Sequence, residues 1–304
     1  MDSYTQKTML WLDECYKKSD EDGIYFAHQP IYGFRKGHSE PQLYGRYIRT
    51  FQIIKTLSHI KFKTLLDVGG SEGYKAYLIH RLLGASVLNS DLSIEACKRA
   101  EEIFNIASVP ADIHALPFKN GEFDVVLCSE TLEHITDVNK AMKELLRVAN
   151  KAIIITVPHE KRSCIEQNIR LGEYHSHIHD FKLNSFDYLI DQGCRITKKK
   201  MLNPILRVVS LLLETPTEHK KYNPIIVFIF NICASICNYL FDKKSEAFLL
   251  GLDEYICRIL PFHEAILFCI LKDDACFCES VCRKITAEDI INQVVPYYYL
   301  KKNA

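Results

Sequence analysis

The stretch Leu65-Leu-Asp-Val-Gly-Gly-Ser-Glu-Gly73 decides the fold of this 304-residue chain. Its apolar start is typical of a buried parallel strand, and the glycine-dense turn lets the backbone pass close to a ligand. The pattern from Tyr74 to Leu83 is helical and stops at Gly84. Because ligands of parallel α/β sheets bind at the carboxyl ends of the strands, this turn is the expected ligand site.

Strands and helices alternate after this turn. Ser93 is placed to cap a helix from Ile94 to Phe104, and further helices are predicted from Asp137 to Ala149 and from Ser185 to Gln192. This alternation favours a parallel sheet with right-handed crossovers. Short apolar and β-branched runs predict the strands: Phe62 to Val68, Ser86 to Leu92, 108–112, Phe123 to Ser129, Ala152 to Pro158, Arg195 to Met201 and Phe262 to Leu271.

The predicted fold class is α/β. We expect a Rossmann-like, seven-stranded, mostly parallel sheet with helices on both faces, an antiparallel terminal strand and a helical insertion. The first predicted domain is an N-terminal helical cap over 1–60, and the core follows in two parts, 61–202 and 262–272. An apolar helical insertion, 203–261, is predicted to act as a lid, and 273–304 is predicted to be a C-terminal tail. Within the insertion, Pro224 to Phe241 is slightly short for a bilayer span of about 20 residues. A buried lid helix is favoured there over a membrane-surface helix or a span.

Composition narrows the class of protein. Hydrophobic residues make up 48% and charged residues 25%, which are ordinary globular values. Lys+Arg and Asp+Glu both total 38, so no field of one sign is available to hold a DNA backbone. The polar start carries no signal-peptide core, which predicts a cytoplasmic protein with its 12 cysteines reduced. Cys276, Cys278 and Cys282 lack the paired spacing of a zinc site.

The turn does not fit the common nucleotide fingerprints. A dinucleotide G-x-G-x-x-G starting at Gly69 needs glycine at 71 and 74, where the chain has Ser71 and Tyr74. A phosphate-gripping loop would need a Lys-Ser or Lys-Thr pair, which the turn lacks. The run from Asp67 to Gly73 instead resembles the D-x-G-x-G-x-G signature of class I methyltransferases, with Ser71 at the usual middle glycine.

Three further segments carry the same resemblance, which covers about residues 45–200 and the terminal strand pair. Asp91 ends the second strand, where a carboxylate can accept both ribose hydroxyls. The run from Ala111 to Phe118, followed by Gly121 to Val126, resembles the "D-x-x-x-L-P-F … F-D-V-V" segment of the small-molecule branch. Ser129 to Ile135 resembles the family segment beside the methionine moiety.

The resemblance implies an S-adenosylmethionine-dependent methyltransferase. In that family Asp112 would contact the adenine amino group, and the Ile113 backbone would read a ring nitrogen. Arg46 could pair with the cofactor carboxylate while Tyr44 or Tyr47 covers it, although a surface arginine and packing tyrosines are an equal alternative. The predicted cofactor residues are Asp67, Gly69, Gly70, Ser71, Gly73, Asp91, Leu92, Asp112, Ile113, Ser129 and Arg46.

A second cluster of carboxylates and histidines is predicted to act on the methyl acceptor. Its oxygen and nitrogen ligand atoms fit Mg²⁺, Mn²⁺ or Zn²⁺. Its E-x-x-E-H run and later histidine resemble the metal site of small-RNA 2′-O-methyltransferases and of ubiquinone-pathway O-methyltransferases, where the metal acidifies a substrate hydroxyl. The predicted ligands are Glu130, Glu133, His134 and His179, with His177 as the alternative to His179. A metal-free base at His134 and a purely structural role stay open. His134 and His159 are the predicted catalytic residues.

The expected acceptor is a small or lipid-like molecule, with O-methylation slightly preferred. Peripheral membrane contact through 203–261 is an additional expectation, and the oligomeric state stays open. Three alternatives remain: an NAD-linked Rossmann oxidoreductase, a non-catalytic cofactor-binding module, and an RNA 2′-O-methyltransferase. The neutral charge balance weighs against RNA, because backbone binding needs lysine and arginine.

Overall fold

The structure is a computed structural model. It describes residues 2–19, 27–32, 43–210, 243–278 and 284–293, and the single positions 225, 228, 229, 232, 235 and 236. Its strands are β1 Thr64–Val68, β2 Ser86–Asp91, β3 Ser108–Pro110, β4 Phe123–Ser129, β5 Ala149–Pro158, β6 Arg195–Met201 and β7 Ala265–Leu271.

These strands form one sheet in the order β3-β2-β1-β4-β5-β7-β6. The first five strands run parallel, and β7 lies antiparallel between β5 and β6. This arrangement confirms the predicted fold class. The chain runs outward from β1 to β3 and then returns to β4 on the other side of β1. The order therefore reverses between β1 and β4, which is where open α/β sheets bind their ligands.

The helices are α1 Ser3–Tyr16, α2 Leu43–Leu57, α3 Tyr74–Leu83, α4 Ile94–Phe104, α5 Val138–Val148, α6 Arg162–Leu171, α7 Pro204–Ser210, α8 Lys243–Ile259 and α9 Ala287–Ile291. The predicted bounds of α3 and α4 are confirmed. Gly84 ends α3 in the left-handed conformation at φ +72°, and Ser93 caps α4 by accepting a hydrogen bond from Ala96 N.

Two apolar layers cover the sheet, one on each face. Alternate residues of each central strand point to opposite layers, as the strand period of two requires. Leu65 and Leu127 belong to the layer that includes α2, α3, α8 and α9. Leu66 and Val126 belong to the layer that includes α5. The sheet is thus buried on both faces, which leaves the strand ends as the place for a site.

Two predictions about the carboxyl-terminal half were wrong. The segment Ser185 to Gln192 contains only a short 3₁₀ helix, Asp187–Leu189, in place of the predicted α-helix. Phe186 and Leu189 are buried in the core, so packing overrides the local helical signal. The predicted tail also contains α9, whose Ile290 is fully buried against α2 and α8. The boundary at 273 therefore does not separate a tail from the core.

The insertion begins with α7 and ends with α8. Most of Pro224 to Phe241 lies outside the described residues. The apolar side chains that are described there are 44–68% exposed: Ile225, Phe228, Ile229, Ile232 and Ile236. That exposure does not agree with a buried lid helix at these positions. Within the part of the chain that the structure describes, no helix is both long and apolar enough to cross a membrane.

Candidate cofactor and acceptor site

A cavity of about 270 Å³ lies at the carboxyl ends of β1, β2, β3 and β4. Eight of the predicted cofactor residues line it: Gly69, Ser71, Asp91, Leu92, Asp112, Ile113, Ser129 and Arg46. The other three, Asp67, Gly70 and Gly73, are not among its lining residues. Asp67 and Gly70 support the turn from beneath, because a Cβ on Gly70 would lie 2.9 Å from the Asp67 carboxylate and would overlap Asn89.

The turn after β1 needs glycine for two separate reasons. Gly69 adopts φ +71°, and a Cβ there would overlap the Thr131 side chain. Ser71 also lies in the left-handed region, at φ +55°, where the family signature has its middle glycine. Its hydroxyl bonds to the Tyr16 hydroxyl and to the Glu72 carboxylate. Those bonds offset the strain of a serine in this conformation and explain the departure from the signature.

Asp91 has the geometry of a preformed anionic receptor. Its Oδ2 accepts a hydrogen bond from Ser71 N at 2.8 Å, and its Oδ1 accepts one from Ser93 N at 2.9 Å. Burial raises its pKa to about 6, against the lowering effect of these two N–H groups. Both oxygens are oriented and Asp91 lines the cavity, so the carboxylate fits the paired hydroxyls of a ribose.

Asp67 is a different buried acid. It is fully buried, and burial raises its pKa to about 6. Neither of its carboxylate oxygens has a hydrogen-bond partner among the described residues. It lies beneath the turn, so the structure gives it a supporting position in place of the predicted direct contact.

The helix α1, which lies within the predicted N-terminal helical cap, forms the roof of the cavity, although none of its residues was a predicted site residue. Tyr4, Thr5, Thr8, Leu12 and Tyr16 line the cavity from this helix. A signal was present, because Asp2 caps the helix through Thr5 N and the buried positions recur at helical spacing.

The roof is attached to α4 by polar contacts. Asp13 Oδ1 accepts a hydrogen bond from Ser93 Oγ at 2.5 Å and one from Glu95 N at 3.2 Å. Arg99 Nη1 donates to Tyr16 O at 3.0 Å. The residues that hold α1 in place thus lie at the N-cap of α4 and within this helix, close to Asp91 in the sequence. The same part of the chain therefore positions both the roof and the Asp91 carboxylate.

The segment 27–32 closes the cavity beside α1. Glu72 is fully buried and accepts hydrogen bonds from His28 N at 2.7 Å and Gln29 N at 3.3 Å. Gln29 Nε2 returns a bond to Gly70 O at 2.7 Å. Burial alone would raise the pKa of Glu72, but other effects, the largest of which is the positive charge of Arg99, bring this pKa below its usual value. Glu72 is therefore an anchor for the roof that the sequence analysis did not single out.

The aromatic residues of α2 pack and do not cover the cavity. Tyr44 and Tyr47 are buried, and their hydroxyls donate to Leu249 O at 3.1 Å and Pro30 O at 3.3 Å. Arg46 does line the cavity, and its Nη1 donates to Ala27 O at 3.1 Å. The packing alternative therefore holds for the two tyrosines, and the predicted pairing of Arg46 with the cofactor carboxylate stays a prediction.

The residues predicted for acceptor chemistry lie on and beside the 3₁₀ helix Leu132–His134, which follows β4 and contributes Glu133 and His134 to the cavity lining. Glu133 is fully buried, and neither carboxylate oxygen has a hydrogen-bond partner in the described part of the chain. Burial, followed by the charge of Glu130, raises its pKa well above the usual range. His134 Nε2 lies 3.8 Å from Glu133 Oε1.

One ligand atom from each of Glu133, His134 and His177 falls within 4.8 Å of the others. The predicted ligand Glu130 lies outside this group and pairs with Arg49 at 2.9 Å. His179 was the wrong choice between the two downstream histidines, since its Nε2 lies 2.6 Å from Ile135 O. The alternative, His177, is the histidine that reaches the cluster.

The predicted catalytic residue His159 is also corrected. Its Nδ1 donates to Phe181 O at 3.0 Å, and its ring stacks on His263 with centroids 4.6 Å apart. It is not among the residues that line the cavity. His134 does line the cavity, where its ring stacks on His175 at 3.8 Å.

Residues 66–155 match the family model described as "Methyltransferase domain". The chain is therefore similar to methyltransferases over this segment. The chain is 30% identical over 183 residues to tocopherol O-methyltransferase of Arabidopsis thaliana, and the match covers 56% of this chain and 52% of that protein. It is 28% identical over 123 residues to norajmaline N-methyltransferase of Rauvolfia serpentina, and this match covers 37% of the chain and 42% of that protein.

The chain thus spans about half or less of the length of these curated relatives. Among solved structures, geranyl diphosphate C-methyltransferase of Streptomyces coelicolor A3(2) superposes with a TM-score of 0.51 at 14% identity. That match covers 89% of this chain and 98% of the other, and it supports the fold. The names of these three proteins specify an oxygen, a nitrogen and a carbon acceptor.

Proposed function

We propose that this protein is a methyltransferase that transfers a methyl group from S-adenosylmethionine to an oxygen atom of a small or lipid-like acceptor. One observation carries the proposal: a single cavity joins Asp91 and Asp112, which suit a nucleoside, to Glu133 and His134, which suit a reacting hydroxyl. The exposed apolar side chains of the insertion support a lipid-like acceptor over a strongly polar one.

S-adenosylmethionine supplies an electrophilic methyl group on a sulfonium, so the protein mainly supplies position and excludes water. Asp91 would hold the ribose hydroxyls, and Asp112 would accept from the adenine amino group. The roof made by α1 and segment 27–32 covers this part of the cavity. Arg46 stands at the wall, where it would meet the methionine carboxylate.

In this proposal His134 would accept the proton of the acceptor hydroxyl. Its Nδ1 lies 3.2 Å from Ser176 O, which can only accept, so the proton of the neutral ring sits on Nδ1. The Nε2 lone pair is then available at the cavity. Burial, followed by the charge of His175, holds the pKa of His134 well below its usual range, so the ring is neutral at pH 7.

A divalent cation held by Glu133, His134 and His177 is a second way to activate the same hydroxyl. A fully buried carboxylate without a partner is costly unless a positive group joins it. His177 Nδ1 donates to Glu160 Oε1 at 3.0 Å, and His134 Nδ1 donates to a backbone carbonyl. Metal-binding histidines usually donate their other ring N–H in this manner. A cation there would lower the pKa of a bound hydroxyl.

Calorimetric titration with S-adenosylhomocysteine tests the main proposal. The wild-type protein should bind this reaction product and should not bind NADH. No binding of S-adenosylhomocysteine would overturn the proposal, and binding of NADH alone would favour an oxidoreductase. Normal binding without turnover on a panel of phenolic and lipid hydroxyl acceptors would favour a non-catalytic module.

The cation is tested by titrating Mg²⁺, Mn²⁺ and Zn²⁺ into the wild type and three variants. Glu133→Gln and His177→Ala should each lose binding of the cation that the wild type prefers. His179→Ala is the matched control and should bind as the wild type does, because His179 lies outside the cluster. Equal binding by all four proteins would exclude this ligand set.

A further inference from the structure

His114 lies beside the predicted adenine-binding residue, in a place that neither the turn signature nor the acceptor cluster uses. It is only 8% exposed and lines the cavity next to Asp112. The two residues are joined twice: Asp112 Oδ1 accepts from His114 N at 2.9 Å and lies 2.8 Å from His114 Nδ1. One oxygen of the Asp112 carboxylate is therefore held by two donors.

The other ring nitrogen fixes the tautomer. His114 Nε2 lies 3.4 Å from Asp137 N, which can only donate, so Nε2 carries the lone pair. Nδ1 then carries the proton and donates to Asp112. Asp137 is the N-cap residue of α5, and its side chain accepts from Lys140 N, so the contact that orients the ring belongs to a fixed helix end.

We infer that His114 is a positioning residue that sets the selectivity of the site for a 6-aminopurine nucleoside. This inference rests on the proposed function. By fixing Oδ1, His114 leaves Oδ2 of Asp112 as the acceptor that faces a purine edge. An amino group at position 6 donates to such an oxygen, whereas the carbonyl of a 6-oxopurine would face it with a second acceptor. A carboxylate that is free to rotate would discriminate less between the two.

The test compares S-adenosylhomocysteine with S-inosylhomocysteine, which carries a carbonyl in place of the 6-amino group and a proton on N1. The N1 difference is the same for every variant, so a change in the ratio of the two affinities reports on position 6. The wild type should bind the adenosine compound far more tightly than the inosine compound. His114→Gln should reduce that preference by about tenfold, which corresponds to the loss of one good hydrogen bond. His114→Asn should keep the preference, because the amide nitrogen of asparagine is two bonds from Cβ, as Nδ1 is, whereas that of glutamine is three bonds away.

The asparagine and glutamine variants control for each other, since both are small, polar and uncharged. A purely structural role would weaken binding of both analogues equally and leave their ratio unchanged. An unchanged ratio in His114→Gln, or an equal loss of preference in both variants, would overturn the inference. Failure of the wild type to bind either analogue would instead refute the proposed function. Asp112→Asn should reduce the preference at least as much as His114→Gln does, because its amide can also donate to the inosine carbonyl.

Discussion

Asp91 and Glu133 are two buried carboxylates in one cavity, and they differ in their hydrogen-bond partners. Asp91 ends β2, and each of its oxygens accepts a backbone hydrogen bond, from Ser71 or from Ser93. Glu133 follows β4, and in the described structure its oxygens have no hydrogen-bond partner, with His134 Nε2 3.8 Å away. The Asp91 carboxylate therefore has hydrogen-bond partners before a ligand binds, and within the described ranges the Glu133 carboxylate does not.

The difference separates two kinds of recognition. A carboxylate that N–H groups already orient has a low free-energy cost of reorganisation when it binds a neutral diol. Asp91 therefore suits a cofactor that binds in each catalytic cycle. A buried carboxylate without donors is stabilised only by a cation or a proton. Glu133 therefore suits acceptor chemistry, where charge changes during the reaction. Four measurements can break or sharpen this contrast.

The largest expected effect is on cofactor affinity. Asp91→Asn should weaken binding of S-adenosylhomocysteine by about 100-fold, since charge-assisted hydrogen bonds to two hydroxyls are worth about 3 kcal/mol together. Glu133→Gln should change that affinity by less than about threefold, because Glu133 belongs to the acceptor side. Calorimetry on both variants measures the effect. Similar losses in the two would remove the distinction between the two ends of the cavity.

The pH dependence of binding should follow Asp91. Its pKa is about 6, so at pH 5 about one carboxylate in ten is ionised, and affinity should be about tenfold lower than at pH 8. The sign follows because the ionised form accepts the hydroxyls and the protonated form must first lose its proton. The negative charges of Glu72 and Asp13 contribute to the raised pKa.

Asp67 controls for this assignment, since its pKa is also about 6 and it lies beneath the same turn. Asp67→Asn should keep the fall in affinity at low pH, and Asp91→Asn should lose it. The reverse result would assign the titration to the support of the turn and would exclude Asp91 as its source.

Stability without a ligand should change in opposite directions. Asp91→Asn places an amide against one of two backbone N–H groups, which should lower the free energy of unfolding by about 1–3 kcal/mol. Glu133→Gln replaces an unpartnered acid and should leave the free energy of unfolding unchanged or raise it by about 1 kcal/mol. Urea denaturation in the presence of a chelator measures both. A clear loss of stability in Glu133→Gln would mean that its carboxylate has a partner in the apo protein.

The same contrast shows what the sequence could predict. Asp91, Ser93 and the turn at Gly69 follow from local rules, because strand ends, caps and tight turns are set by neighbouring residues. The helix Ile94–Phe104 was predicted to the residue for that reason. The same rules predicted a helix at 185–192 that the structure does not have, because burial of Phe186 and Leu189 decides the backbone there.

The acceptor side depends on contacts between distant segments, which periodicity does not reveal. The choice between His177 and His179 depends on how the chain enters from His175, whose φ is +60°. It also depends on the bond from Ile178 N to Glu133 O at 2.8 Å, across 45 residues. A single sequence contains the histidines but not this pairing, so the predicted partners of Glu133 and His134 were Glu130 and His179, while His177 was only the alternative.

The smallest expected effect tests whether the roof contributes to the satisfied end. Tyr16→Phe removes the hydroxyl that bonds Ser71, whose backbone N–H holds Asp91. Affinity for S-adenosylhomocysteine should fall by about three- to fivefold, since one neutral hydrogen bond contributes about 1 kcal/mol. Tyr188→Phe, at an exposed and distant tyrosine, should have no effect. If Tyr16→Phe binds as the wild type does, the roof covers Asp91 without helping to orient it, and the turn alone accounts for the preformed receptor.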